Sequence, residues 1–199
     1  MERRERTGTR AVERARGDGI APARAPVTTV RDLAPEAIRV RPASARDAGG
    51  IAAIWNREAL GALTTTDTEP RSVVAQRRWL AAHAAEYPVI VATDGDERLA
   101  GFAALTAYRS KPAFRHTVED SIYVERAWRG SGVGRLLLRE LLRLADAHGH
   151  RSVIARITTE NVGSRRLHES FGFRLVGIEE AVAFKLGRWL DVAVYQRLL

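Results

Sequence analysis

The chain has 199 residues and a formal net charge of +8, with 45% hydrophobic and 28% charged residues, the balance of a globular domain large enough to bury a core. It holds no cysteine, which excludes disulfides, a thiol nucleophile and zinc–thiolate sites, and no apolar run nears the roughly 20 residues of a membrane span. Lys111 and Lys185 are the only lysines, so the positive charge is nearly all arginine; it is scattered along the chain, which points to anionic small molecules and away from a nucleic-acid interface.

Residues 1–36 carry eight Arg and six acids, with no leucine before Leu33. Such a segment buries little apolar surface and reads as a disordered arm. Its acids argue against a transit peptide, and it has no apolar stretch of a secretory signal, so a cytoplasmic protein is expected. The folded domain is expected over residues 37–199. Residues 38–41 alternate as a strand. Ser44 then caps a helix, with Asp47 three residues on, and Ile51, Ile54 and Trp55 face its core. After a threonine-rich loop over 61–69, Pro70 is expected to open a second helix with Val73, Val74, Trp79 and Leu80 as its apolar face. Strands follow at 88–93, at 99–108 after the turn Asp94-Gly95-Asp96, and at 115–124. An amphipathic helix over 135–148 is closed by Gly149. Residues 152–157 read as a buried strand, and Asn161 caps a helix that runs to Phe171 and stops at Gly172. Residues 173–178 and 189–198 read as the last strands. The order is β-α-α-β-β-β-α-β-α-β-β, an α/β (α+β) domain with a mixed central sheet.

The chemistry concentrates in Arg129-Gly130-Ser131-Gly132-Val133-Gly134, between a strand and a helix. Backbone N–H groups at a helix start lack intrahelical partners and sit at the positive end of the helix dipole. Glycines let that backbone approach a phosphate closely. A P-loop would end in Gly-Lys-Ser/Thr, whereas Gly134 precedes Arg135-Leu136. A Rossmann loop would follow the first strand with different spacing. No nucleotide-kinase lysine or magnesium-ligand set is apparent, and no metal is expected.

The spacing Arg-x-x-Gly-x-Gly resembles the pyrophosphate loop of the GCN5-related N-acetyltransferases (GNAT), which bind acetyl-coenzyme A. The run Asn161-Val162-Gly163-Ser164-Arg165-Arg166-Leu167-His168-Glu169-Ser170-Phe171-Gly172-Phe173 resembles their second cofactor-side motif. Tyr108-Arg109-Ser110, the run Phe114-Arg115-His116-Thr117-Val118-Glu119-Asp120-Ser121-Ile122-Tyr123-Val124 and the segment around Phe184-Lys185-Leu186-Gly187-Arg188-Trp189 look like the phosphinothricin and methionine-sulfoximine N-acetyltransferase branch. The resemblance covers residues 37–199. It implies a sheet splayed at an acetyl-CoA wedge, direct transfer of an acetyl group to the α-amine of a small amino-acid-like substrate, and a homodimer.

Acetyl transfer needs an amine freed of its proton, a donor for the oxyanion and a held geometry. The resemblance makes Glu119 the base and His168 the acid toward the leaving thiolate. It assigns the backbone of Ile122, Tyr123 and Val124 to the pantetheine, residues Arg129, Gly130, Ser131, Gly132, Val133 and Gly134 to the pyrophosphate, and Asn161 and Ser164 to the remaining cofactor wall. Asp120 lies on the opposite strand face from Glu119 and reads as a solvated charge. Arg109, Ser110 and Arg115 are the candidates for an acceptor's carboxylate and polar side chain. The branch tends to carry a bulky aromatic in the loop over 64–69, where this chain has threonines and Asp67, which disfavours an anionic side chain. Lys185 and Trp189 are expected in a hairpin bordering the partner subunit. Two other readings stay open: the same fold acting on a polyamine, an antibiotic or a protein N-terminus, and a non-catalytic acetyl-CoA-binding module, which Glu119 and His168 facing away from the wedge would favour.

Overall fold

The computed structural model describes residues 38–83 and 85–199. The arm expected over 1–36, and residue 37 at the expected domain start, lie outside the described residues. Seven strands form one sheet: β1 (Arg39–Pro42), β2 (Val89–Thr93), β3 (Leu99–Ala107), β4 (Thr117–Val124), β5 (Ser152–Thr158), β6 (Arg174–Lys185) and β7 (Arg188–Leu198). Four helices accompany it: α1 (Ala48–Gly61), α2 (Val73–Ala81), α3 (Val133–Ala147) and α4 (Val162–Glu169). The strand order is β1-β2-β3-β4-β5-β7-β6, and every pairing is antiparallel except β4 with β5.

The two faces of the sheet are covered by different helices. On one face α3 buries Leu137, Leu138, Leu141, Leu142 and Ala145, spaced to make a single stripe, against Leu105, Val118, Val153, Ala155, Ile157 and Tyr195. On the other, Ile51, Ile54, Trp55 and Ala59 of α1 pack on Val91 and Phe102. Strand alternation assigns each side chain of β4 to one face: Val118 faces α3, and Tyr123 joins the α1 cluster.

The parallel pair is short. β4 and β5 are in register only at Thr117–Ser152, Val118–Val153 and Glu119–Ile154. Beyond that point β4 continues along β3 as far as Val124, while β5 continues along β7 as far as Thr158. The sheet therefore splits between its two central strands. Among the described residues, β4 from Asp120 onward has no strand on its β5 side, and its backbone edge faces a wedge.

Several local details differ from the sequence expectation. The second helix starts at Val73, and its cap is Ser72, whose side chain accepts from the Ala75 N–H at 3.1 Å. Val73 and Val74 are exposed there, and Gln76 is the residue α2 buries fully. The last two strands are longer than expected and form one hairpin. Register shifts between Leu175 and Gly177 and between Glu179 and Ala183 break the alternation that would have announced β6 as one strand.

Candidate active site

The wedge opens into a cleft of about 1110 Å³. Its floor is β4 from Glu119 to Val124 and β5 from Ala155 to Thr158. At one end stands the glycine loop, with Arg129, Gly130, Gly132, Gly134 and Arg135. Farther along the two strands stand Glu119 and Arg156, while Trp55, the loop residues 64–67, Val182 and Ala183 line the cleft on the α1 side, where Thr64 donates to the Glu58 that also holds Arg129. Asn161, Ser164, Leu167 and His168 of the α4 segment form the side wall between them.

The glycine loop is built for close approach. Gly130 has φ +79° and Gly132, the N-cap of α3, has φ +91°, and a Cβ on either would meet nothing within 4 Å. The space above the start of α3 is thus open, with the helix's unpaired N–H groups beneath it. Ser131 turns away to donate its hydroxyl to Trp128 O at 2.6 Å, and Val133 is fully buried, so these two line the loop through their backbone only. Arg129 is anchored: Nη2 meets Glu58 Oε1 at 2.7 Å and Nε donates to Val124 O at 3.3 Å. Glu58, buried on α1, thereby ties the loop to the opposite helix layer. Replacing Gly132 by Ala, at a φ that side chains rarely adopt, is expected to cost about 1–3 kcal/mol in urea denaturation.

The α4 wall is fixed by short-range caps and one long-range pair. Asn161 Oδ1 accepts from the Ser164 N–H at 3.1 Å, so Asn161 caps α4. His168, 3% exposed, points at β4. Its Nε2 lies 2.9 Å from Asp120 Oδ2 and its Nδ1 lies 2.8 Å from the Ser164 carbonyl. A carbonyl can only accept, so Nδ1 carries a proton, and the bond to Asp120 then places one more proton between the two side chains. Burial pulls the imidazole's pKa down, but the charge and hydrogen bond of Asp120, aided by Ser164, outweigh it and hold it above the ordinary value.

The α1 side of the cleft holds further titratable groups. Glu119 and Arg156 are on one face of the sheet, since Glu119 is in parallel register with Ile154 and Arg156 lies two residues beyond it. That face is the α1 side, opposite Asp120. Burial pushes the Glu119 carboxyl above the usual carboxylate range; Arg156 opposes the shift, while Asp120 and Glu179 add to it. Tyr123 stacks on Phe102 at 4.9 Å, and its hydroxyl donates to Asp67 Oδ2 at 3.2 Å. Burial is the main reason its phenol is raised far above the ordinary value.

A family model described as "Acetyltransferase (GNAT) family" matches residues 51–173. The chain is 36% identical over 165 residues to a phosphinothricin N-acetyltransferase of Streptomyces coelicolor, covering 81% of this chain and 96% of that protein. It is 38% identical over 161 residues to an L-methionine sulfoximine/L-methionine sulfone acetyltransferase of Pseudomonas aeruginosa, covering 77% and 93%. This chain belongs to the GNAT acetyltransferase family. A crystal structure of a GNAT superfamily phosphinothricin acetyltransferase from Sinorhizobium meliloti in complex with AcCoA superposes with a TM-score of 0.78 at 37% identity, covering 82% of this chain and 89% of that one. The mixed sheet described above is thus the GNAT fold, and the chain is an N-acetyltransferase.

Within this GNAT cleft the structure gathers Glu119, Ile122, Tyr123, Val124, Arg129, Gly130, Gly132, Gly134, Asn161, Ser164 and His168 along one surface. It does not bring in the three acceptor candidates. Arg109 borders a separate cavity of about 210 Å³, with its guanidinium over the Tyr108 ring at 5.0 Å. Ser110 and Arg115 line neither cavity, because the turn after β3 carries them past the end of the wedge. Asp120 is a correction: it is buried and paired with His168, because α4 covers the strand face that strand alternation alone left open to solvent. His168 is placed in the wall with both ring nitrogens engaged, Nδ1 at the Ser164 carbonyl and Nε2 at Asp120. Lys185 lies at the turn of the β6–β7 hairpin. It is 3% exposed and donates to the carbonyls of Glu58 and Thr65 within its own chain, at 3.1 and 2.9 Å. Trp189, across the same hairpin, is 65% exposed. Glu58 and Arg156 are the cleft residues that sequence reasoning missed. Their partners lie too far along the chain for spacing to reveal them.

Proposed function

We propose that this protein transfers the acetyl group of acetyl-CoA directly to the α-amine of a small amino-acid-like substrate of the phosphinothricin or methionine sulfoximine/sulfone type, in a ternary complex. The observation that carries the reading is the division of the cleft by the splayed sheet. An anion cradle of glycines and Arg129 lies at one end, and a half-buried carboxyl, Glu119, lies at the other, near the point where β4 and β5 part. The residues fit acetyl-CoA. The open space above Gly130 and Gly132 admits a pyrophosphate, and the unpaired edge of β4 at Ile122, Tyr123 and Val124 offers N–H and C=O groups to pantetheine amides, as an added strand would. When bound, acetyl-CoA supplies an activated acetyl thioester.

The protein's own part begins with the amine. An α-amino group with a pKa of about 8 is largely protonated at neutral pH. Glu119, raised by burial, is suited to take that proton as the amine enters. The walls of the cleft hold amine and thioester together, which itself contributes many kcal/mol to the rate. His168 acts by position. Its pairing with Asp120 clamps α4 to β4, so that Asn161, Ser164 and Leu167 form a fixed cofactor wall. Glu119 and His168 both face the cleft, which supports an enzyme over a binding module. A homodimer would use the outer surface of the β6–β7 hairpin, where Val176, Ile178, Phe184 and Trp189 are exposed. A cytoplasmic location belongs to the same reading; among the described residues no helix is long and apolar enough to cross a membrane.

The test is thiol release from acetyl-CoA with methionine sulfone, methionine sulfoximine, phosphinothricin, spermidine, an aminoglycoside and a short peptide. Turnover is expected on the amino-acid analogues, with phosphinothricin the weakest because the Asp67 carboxylate lines the cleft. Turnover confined to the other three amines would keep the fold and overturn the substrate class.

A further inference from the structure

Among the described residues three guanidinium groups line the main cleft: Arg129, Arg135 and Arg156. Two stand at the glycine loop and are engaged there. Arg129 is held by Glu58, and Arg135 donates to Ser170 Oγ at 3.0 Å with its guanidinium 5.2 Å from the Phe171 ring. Arg156 is the cation at the Glu119 end. Among the described residues the other charged groups lining that stretch of β4 are Glu119 and, behind the strand, Asp120; Arg71, over the Trp55 ring at 3.4 Å, and Lys185, on the Thr65 carbonyl, stand at the 64–67 loop and do not line the cleft.

We infer that Arg156 is the specificity-determining residue for the acceptor, receiving its carboxylate beside Glu119. The inference rests on the amino-acid-like acceptor proposed above and names the group that recognises it. In an α-amino acid the amine and the carboxylate share one carbon. A base that serves the amine and a cation that serves the carboxylate must therefore be close neighbours on one surface. Glu119 and Arg156 meet that requirement: they share a sheet face, and the two strands part just beyond the Glu119–Ile154 pair, which exposes both to the wedge. Arg109, which the sequence suggested for this task, borders only the smaller cavity; Arg156 lines both.

Arg156 has the free capacity the task demands. Its side chain is 37% exposed, and among the described residues Glu179 of β6 is its one side-chain hydrogen-bond partner, through Nη2. Guanidinium offers five N–H donors and Glu179 takes one, so four remain, enough for a bidentate grip on a carboxylate while Glu179 keeps the plane oriented. Asp67, held by the Tyr123 hydroxyl farther along β4, repels a carboxylate and so turns the acceptor's carboxylate toward β5 and its amine toward Glu119.

The experiment compares methionine sulfone with its carboxamide, with saturating acetyl-CoA, on the wild type, Arg156→Gln and Glu179→Gln. For Arg156→Gln we expect KM for the acid to rise about 10- to 100-fold, the loss of charge-assisted hydrogen bonds. The carboxamide should change less than threefold, and so should KM for acetyl-CoA. Each acceptor is compared with itself across variants, so the different amine pKa values of acid and amide cancel. Glu179→Gln should leave the acid's KM within about threefold, because the glutamine oxygen still accepts from Nη2 and keeps the plane oriented. Equal losses on acid and amide, or a Glu179→Gln variant that mimics Arg156→Gln, would reduce Arg156 to a tie between β5 and β6 and overturn the inference. A wild type that acetylates spermidine but neither methionine compound would overturn the acceptor class itself, a distinct result visible before any variant is made.

Discussion

Glu119→Gln is expected to lower kcat/KM for the amine by about 100- to 10,000-fold, the range that a positioned general base contributes. The substitution keeps shape and removes the negative charge. Binding of acetyl-CoA should stay within about twofold, since Glu119 stands at the opposite end of the cleft from the glycine loop. The pH dependence separates this role from a structural one. A base works only when deprotonated, so wild-type kcat/KM should fall as pH drops through the Glu119 pKa, which burial has raised above the usual carboxylate range. The variant should lose that limb and keep only the limb set by the amine itself. Stability should move the other way. A carboxyl whose folded pKa is raised is favoured in its protonated form, so its contribution to stability is present at low pH and lost as pH rises through the folded value. At neutral pH the ionised Glu119 is a cost to folding, and the glutamine variant should melt at the same temperature or higher. A folded Glu119→Gln enzyme with wild-type kcat/KM would remove Glu119 from the chemistry.

The sequence made some of this visible and concealed the rest for identifiable reasons. The glycine loop and the start of α3 were legible because their signal is local: φ +91° at Gly132 and a stripe of buried leucines fall within 15 residues. The Asn161 cap of α4 is local in the same way. Other features depend on contacts across the chain. Asp120 and His168 are 48 residues apart, and Lys185 reaches Glu58 across 127. A charged residue in a strand reads as solvated until the element that covers it is known. The wedge itself has no sequence signature. β4 and β5 are ordinary strands, and after Glu119–Ile154 β4 stays paired with β3 and β5 with β7. Arg156 was overlooked for that reason: in an intact sheet it would lie beside β4, and only the split turns it into a cleft residue. The Arg109 expectation erred in the converse way, since sequence nearness to Glu119 did not carry it into the same cavity.

Asp120→Ala is expected to destabilise the protein by about 3–5 kcal/mol, the usual consequence of removing one member of a buried ion pair. Both side chains are almost wholly enclosed, at 1% and 4% side-chain exposure, so solvent cannot replace the lost partner. The loss should depend on pH, with a sign that follows from His168. Its folded pKa is raised above the unfolded value of about 6.5. The pair's contribution is therefore fully present below about pH 6.5 and is lost as pH rises through the folded value. Chemical denaturation across that range should show the gap between wild type and Asp120→Ala narrowing toward alkaline pH. In the variant the imidazole has only burial acting against its charge, so the NMR titration of its ring should move to lower pH than in the wild type. A gap that is small and flat with pH would mean the pair is not ionised. The same measurement bears on catalysis. If α4 is clamped through this pair, Asp120→Ala should raise KM for acetyl-CoA at temperatures where the variant is folded, because Asn161, Ser164 and Leu167 lose their fixed placement, while the acceptor's KM, set on the other face of β4, should change little.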